Sequence, residues 1–234
     1  YAGSLPCPAA GAPHAYFELH IEQGPVLEDE GVTIGVVTGV QGISWAELTI
    51  IGQSAHAGTT PMRLRRDPGY VAAEITTVAR NIAREFGGSQ VATVGRCEFH
   101  PNLVNVVPAT VTMTVDLRNT DEATLQRAEA QLADHCARLS AAEGVTIERR
   151  TLARFEPVEF DAEKVALVEA TSQRLGHSTL RMPSGAGHDA QMLARVCPTA
   201  MVFVPSVNGL SHNIAEHTEP ADIAAGADVL LHVV

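Results

Sequence analysis

Residues 15–22 alternate, with Phe17, Leu19 and Ile21 on one face and Tyr16, Glu18, His20 and Glu22 on the other. That period of two predicts a half-buried strand, stopped by Gly24-Pro25. A second β-rich run over 40–53 closes in the small-residue loop His56-Ala57-Gly58-Thr59-Thr60-Pro61, so His56 is expected on a loop. Asp67-Pro68 then supplies an N-cap and a first-turn proline. Val71, Ile75, Val78, Ala79 and Ile82 follow at helical spacing until Gly87-Gly88. Residues 90–99 and 105–118 read as strands, 120–143 as an amphipathic helix ended by Gly144, and 145–152 as a closing strand. The order over this stretch is β-α-β-β-α-β, which predicts an antiparallel sheet with two helices on one face, the ferredoxin-like arrangement. Beyond it come a helix over 162–175, a loop Ser184-Gly185-Ala186-Gly187, a helix over 188–195, a strand over 199–204 and a helix from Ala221. These read as α/β units of another domain. The fold class expected is therefore α/β, with 1–37 and 154–234 forming one domain around an inserted α+β domain at 38–153.

Composition narrows the partners. The 234 residues carry a net charge of −11, and Lys164 is the only lysine, so there is no basic stripe to grip a phosphate backbone and nucleic acid is not expected. No apolar run approaches the roughly 20 residues that span a bilayer, and the opening stretch to Pro13 lacks the layout of a signal peptide. A cytoplasmic protein that does not enter membranes is expected. Cys7, Cys97, Cys136 and Cys197 are scattered, with no CxxC pair, which predicts reduced thiols rather than a disulfide framework or a thiolate zinc site.

Several residues could carry chemistry. His20 stands just before a strand end, where α/β sites form, although a histidine on a polar strand face is ordinarily only solvated. Ser211-His212-Asn213-Ile214-Ala215-Glu216-His217 gathers potential metal ligands in one loop. His56 sits among residues that permit close backbone approach, which suits a ligand as well as an ordinary turn. Arg118 could grip a carboxylate with two parallel hydrogen bonds, or simply form a surface ion pair. The N–H groups of the Gly185-Ala186 loop could receive an anion, or only close a tight turn. No Gly-x-Ser-x-Gly elbow, His-Glu-x-x-His helix or dinucleotide fingerprint occurs in the sequence.

Taken together, His20-Ile-Glu-Gln-Gly-Pro, His56-Ala-Gly-Thr-Thr-Pro-Met, Asn105-Val-Val-Pro, Asp116-Leu-Arg118, Gly185-Ala-Gly-His-Asp-Ala and Ser211-His212-x-x-x-Glu216 resemble the hydantoinase/carbamoylase family. Its members are N-carbamoyl-L-amino-acid hydrolases, β-ureidopropionases and allantoate amidohydrolases of the aminoacylase and peptidase clan. The resemblance implies hydrolysis of a carbamoyl or ureido C–N bond with release of ammonia and carbon dioxide. It implies two divalent metal ions, zinc or manganese, with cobalt or nickel as alternatives, and His20 and His212 as ligands, one on each ion. Gln23, Gly185 and Ala186 would line the substrate pocket. The inserted domain would be a dimerisation lid whose His56, Asn105 and Arg118 reach the opposite subunit of a homodimer, His56 at the oxyanion and the other two at the substrate carboxylate. The family's sequences begin with a further segment that supplies more ligands and the general base, and its motifs do not occur here. The chain is thus expected to be N-terminally truncated and inactive alone. A dimerising, ligand-binding module without catalysis is the alternative from another class, and a dipeptidase or aminoacylase of the same clan is the alternative chemistry. His188 and His217 receive no role, and Ile214 stands where many relatives carry proline.

Overall fold

The structure is a computed structural model and describes residues 13–234. Cys7 and the rest of the opening stretch before Pro13 lie outside the described residues. In chain order the elements are β1 (Tyr16–Ile21), α1 (Val26–Asp29), β2 (Ile34–Val40), β3 (Gly42–Ile51), β4 (Ala55–His56), α2 (Pro68–Phe86), β5 (Val91–Thr93), β6 (Cys97–His100), β7 (Val106–Val107), β8 (Thr110–Asn119), α3 (Glu122–Glu143), β9 (Thr146–Phe155), β10 (Val158–Glu159), α4 (Ala162–Arg174), β11 (Thr179–Ser184), α5 (Asp189–Leu193), β12 (Thr199–Val204) and α6 (Pro220–Val233). They form two compact units. One takes the described chain to Val40 together with Val158–Val234, and the other is Gln41–Pro157. The junctions fall a few residues after the positions 37 and 153 suggested by the change of sequence pattern. No helix among the described residues is long and apolar enough to cross a membrane.

The first unit is a mixed sheet. β1 runs parallel to β12, β12 antiparallel to β2, and β2 parallel to β11, while short β10 pairs with the end of β2. β2 and β12 are buried along almost their whole length, as strands covered on both faces are, so their sequences read as apolar runs instead of alternating. On β1, Leu19 faces α6, where a Cβ on Gly226 would lie 2.6 Å from both Leu19 and Val204. That missing side chain lets α6 sit directly on β1 and β12. The opposite, polar face of β1 is covered by α5, whose Ala190 N–H donates to Glu18 at 2.8 Å. Glu18 and His20 thus look into a covered region, where the Ala190 N–H of α5 serves the Glu18 carboxylate.

The second unit is an antiparallel sheet in the order β9-β3-β8-β5, with β6 continuing beside β8. α2 and α3 pack on it around Leu48, Ile50, Ile75, Ile82, Met113 and Leu125. The run read as one strand over 90–99 is two pieces, and 105–118 is likewise divided into β7 and β8, since Pro108 has no N–H to continue a ladder. α2 begins where its sequence signals place it: the Asp67 carboxylate accepts from the N–H of Gly69 at 2.9 Å and of Tyr70 at 3.3 Å, and Gly87 ends the helix at φ 61°. Asp67→Ala should lower stability by about 1 kcal/mol, read as a shift in the urea midpoint with an unchanged slope.

Candidate functional site

β1 and β12 are parallel, so their carboxyl ends, Ile21 and Val204, open at the same edge of the sheet. His20 lies beside Phe203 there. Its Nδ1 is 2.8 Å from the Ile21 carbonyl, which can only accept, so Nδ1 carries the proton and Nε2 keeps its lone pair. Just past the strand the chain turns through Gln23 at φ 60°, a left-handed conformation unfavourable for a side chain with a Cβ. It is held by the Gln23 N–H, which donates to the fully buried Ser206 hydroxyl at 3.0 Å. The Gln23 amide then donates to Ser211 Oγ at 3.0 Å and meets His212 Nε2 at 3.4 Å. An amide NH2 only donates, so His212 Nε2 is unprotonated and accepts from Gln23. His212 is itself left-handed at φ 54°, with its N–H donated to Glu216 at 3.0 Å.

Three residues after His20, one side chain therefore ties the first strand to the His212 loop near the other end of the chain. The Ser211 hydroxyl and the His212 N–H hold the Glu216 carboxyl below its usual range, and both His212 and His20 add attraction to it. Glu22, by contrast, is structural. It is buried and accepts from the N–H groups of Val26 and Leu27, at 2.9 and 2.8 Å, at the start of α1. Under His20 lies His188, whose side chain is only 2% exposed. Burial, and after it the charge of His20, pushes the His188 pKa down to about 4, so this ring is neutral near pH 7. Ser184 Oγ both accepts from the Ala186 N–H and donates to the Ala186 carbonyl. Ala186's backbone groups are spent on that turn, which corrects the idea that its N–H awaits an anion.

In the second unit β4 pairs with β7, setting His56 opposite Val106, and the Ala57 N–H donates to the Asn105 carbonyl at 2.9 Å. The structure thus brings His56 and Asn105 together. His56 Nδ1 accepts from the N–H groups of Gly58 and Thr59, at 3.0 and 3.2 Å, so the proton of the neutral ring sits on Nε2, the reverse of His20. Arg65 braces the same loop by donating to the carbonyls of Ala57 and Thr60. Arg118 is elsewhere. From Thr110 to Arg118 β8 extends about 26 Å at roughly 3.3 Å per residue, and His56 and Asn105 lie beyond its start. Within one chain, Arg118 and Asn105 therefore stand toward opposite ends of that extended strand. Arg118 grips Asp116 through Nε and an NH2 group, the latter at 2.7 Å, and stacks over Trp45 at 5.6 Å.

The sequence matches peptidase family M20/M25/M40 over residues 3–234. The chain belongs to that family. It is 46% identical over 225 residues to an N-carbamoyl-L-amino-acid amidohydrolase of Rhizobium meliloti, covering 94% of this chain and 53% of the relative. It is 42% identical over 216 residues to an allantoate amidohydrolase of Escherichia coli, covering 92% and 53%. A crystal structure of a hydantoinase/carbamoylase family amidase from Burkholderia multivorans superposes with a TM-score of 0.91 at 47% identity, covering 94% of this chain and 54% of that one. The chain spans about half the length of the curated relatives it matches.

Within this M20/M25/M40 chain, sequence reasoning singled out His20, Gln23 and His212, and the structure brings the Gln23 side chain to His212. It overlooked Ser206, and it quoted Glu216 and His188 without giving either a specific role. Glu216 stood inside a motif that was read, and its spacing from His212 was the available signal. Ser206 and His188 act through tertiary contacts that leave no local pattern. Among the described residues no three His, Cys, Asp or Glu side chains converge as a ready metal site.

Proposed function

We propose that this chain is the part of a metal-dependent amidohydrolase that supplies His20 and His212 to a pair of divalent ions, and that the whole enzyme hydrolyses the carbamoyl or ureido C–N bond of N-carbamoyl amino acids or related ureido acids. One observation supports the reading: Gln23, three residues after His20, reaches the His212 loop, and the Nε2 atoms of both histidines lack a proton, the one on His212 accepting from the Gln23 amide. Neutral imidazole binds zinc or manganese through an unprotonated nitrogen; at His20 the Nδ1 bond to Ile21 fixes the ring, and at His212 the Gln23 amide holds the place a metal would take. The metals, when bound, supply Lewis acidity toward the ureido carbonyl and the attacking water.

The remaining roles belong to this chain's own groups. His56 offers an Nε2–H donor to the oxyanion that develops on the carbonyl, and Asn105 stands next to it. Arg118, its guanidinium plane fixed by Asp116 and Trp45, binds the substrate carboxylate. We read the second unit as a ferredoxin-like dimerisation lid. Its strand order and the two ends of β8 support this, because one lid then offers His56 and Asn105 to one substrate site of a homodimer and Arg118 to the other. Gln23 orders the His212 loop as well as lining the pocket.

The test uses this chain joined to the remaining half that its relatives carry. Ammonia release from N-carbamoyl amino acids is expected, lost on dialysis against a chelator and regained with zinc or manganese. Amino-acid release from dipeptides without ammonia would replace this reading by that of a dipeptidase. Binding of ureido acids with no turnover under any metal would leave a non-catalytic module.

A further inference from the structure

We infer that His188 is a positioning residue for His20: its buried ring is the wall that fixes the plane of the His20 imidazole and so aims Nε2. The inference rests on His20 being a metal ligand. The His188 and His20 rings meet edge to face, with centroids 4.6 Å apart at 65°. Phe203, beside His20 on β12, meets His188 at 5.6 Å and 60° and His20 at 6.5 Å and 62°. These separations and angles are those that aromatic rings favour, the positive edge of one against the face of the next. Three rings thus form a closed cluster, and His20 is the member that also carries the Nδ1 bond to the Ile21 carbonyl.

A wall must itself be held. His188 Nε2 lies 2.7 Å from Ser184 Oγ, and Ser184 is fully buried. Its Nδ1 lies 3.7 Å from Glu18 Oε1. Glu18 stands two positions before His20 on the same face of β1, and its other oxygen receives the Ala190 N–H. One carboxylate therefore fixes the start of α5 against β1 and sets the distance between the two imidazoles. With Ser184 on one ring nitrogen, Glu18 facing the other and 2% of the side chain exposed, His188 is placed to support a ligand instead of serving as one.

The test reads the tautomer of His20 by long-range ¹⁵N–¹H correlation on the full chain without metal, then titrates zinc alone. In the unaltered chain His20 is expected to be predominantly Nδ1–H, and zinc should move its Nε2 resonance. His188→Gln, which keeps reach to Ser184 but has no ring, should release His20 to a mixture of tautomers and weaken zinc binding about 10- to 100-fold. His188→Phe, which restores a ring edge, should return both readouts toward those of the unaltered chain. Retention of the Nδ1–H tautomer in His188→Gln would overturn the positioning role. So would a loss of zinc in His188→Phe as complete as in His188→Gln, since that is how a ligand would behave. If zinc leaves the His20 resonance unmoved in the unaltered chain, the ligand reading fails, while the metal-free tautomer comparison still decides the positioning role.

Discussion

In the full-length enzyme, His56→Ala lowers kcat by about 10²- to 10³-fold, the loss expected for one oxyanion donor, and leaves KM nearly unchanged. The donor is specified by the loop. Gly58 and Thr59 present their N–H groups to Nδ1, so the neutral ring can donate only from Nε2. A proton on Nδ1 would cost both of those bonds. His56 is exposed, so its removal should shift stability by no more than about 0.5 kcal/mol, and the lost turnover cannot be ascribed to unfolding. The dimer reading gives a sharper outcome. When His56→Ala and His20→Ala enzymes are mixed and allowed to exchange subunits, one of the two sites in the hybrid has an intact His20 from one subunit and an intact His56 from the other. Turnover should return in the mixture. Hybrids that form and remain inactive would show that His56 serves its own subunit, and the proposed crossing of the lid would be withdrawn.

The sequence made some of this legible and hid the rest for identifiable reasons. α2 was readable because Asp67, Pro68 and Gly87 each act on backbone groups within a few residues of themselves. β2 was not recognised because a strand covered on both faces does not alternate, and its Gly35 and Gly39 resemble loop residues. Gly35 is there because a Cβ would lie 2.8 Å from the Phe203 side chain, and Gly39 because one would lie 2.3 Å from the Val158 carbonyl. β11 has no sequence signal of its own, since Pro183 and Ser184 suggest a turn and only pairing with β2 makes the segment extended. At the site, His20 and His212 were found through motif resemblance, not through any local rule. The proposed convergence would depend on the parallel pairing of β1 with β12 and on the left-handed turn at Gln23. His188 was quoted without a role for the same reason: what defines it is the ring of His20 and the carboxylate of Glu18, and neither contact has a signature in the sequence around position 188.

The proposed convergence of His20 and His212 predicts a pattern of losses that separate sites would not give. Each single change, His20→Ala or His212→Ala, removes a lone pair from the same centre. Each should therefore cost the full-length enzyme about 4 kcal/mol of transition-state stabilisation, roughly 10³-fold in kcat/KM. The double variant should lose little more than either single one, because residues that act as a unit are strongly non-additive. Independent roles would instead multiply, giving about 10⁶-fold. Gln23→Ala distinguishes convergence from coincidence by a smaller effect, since it removes the bonds to Ser211 and His212 while leaving both imidazoles in place. It should weaken zinc binding at the His212 side and leave the His20 Nδ1–H bond to Ile21 intact. If the two histidine losses multiply fully, while Gln23→Ala leaves metal affinity unchanged, the two rings serve different centres and the amidohydrolase reading of this site fails.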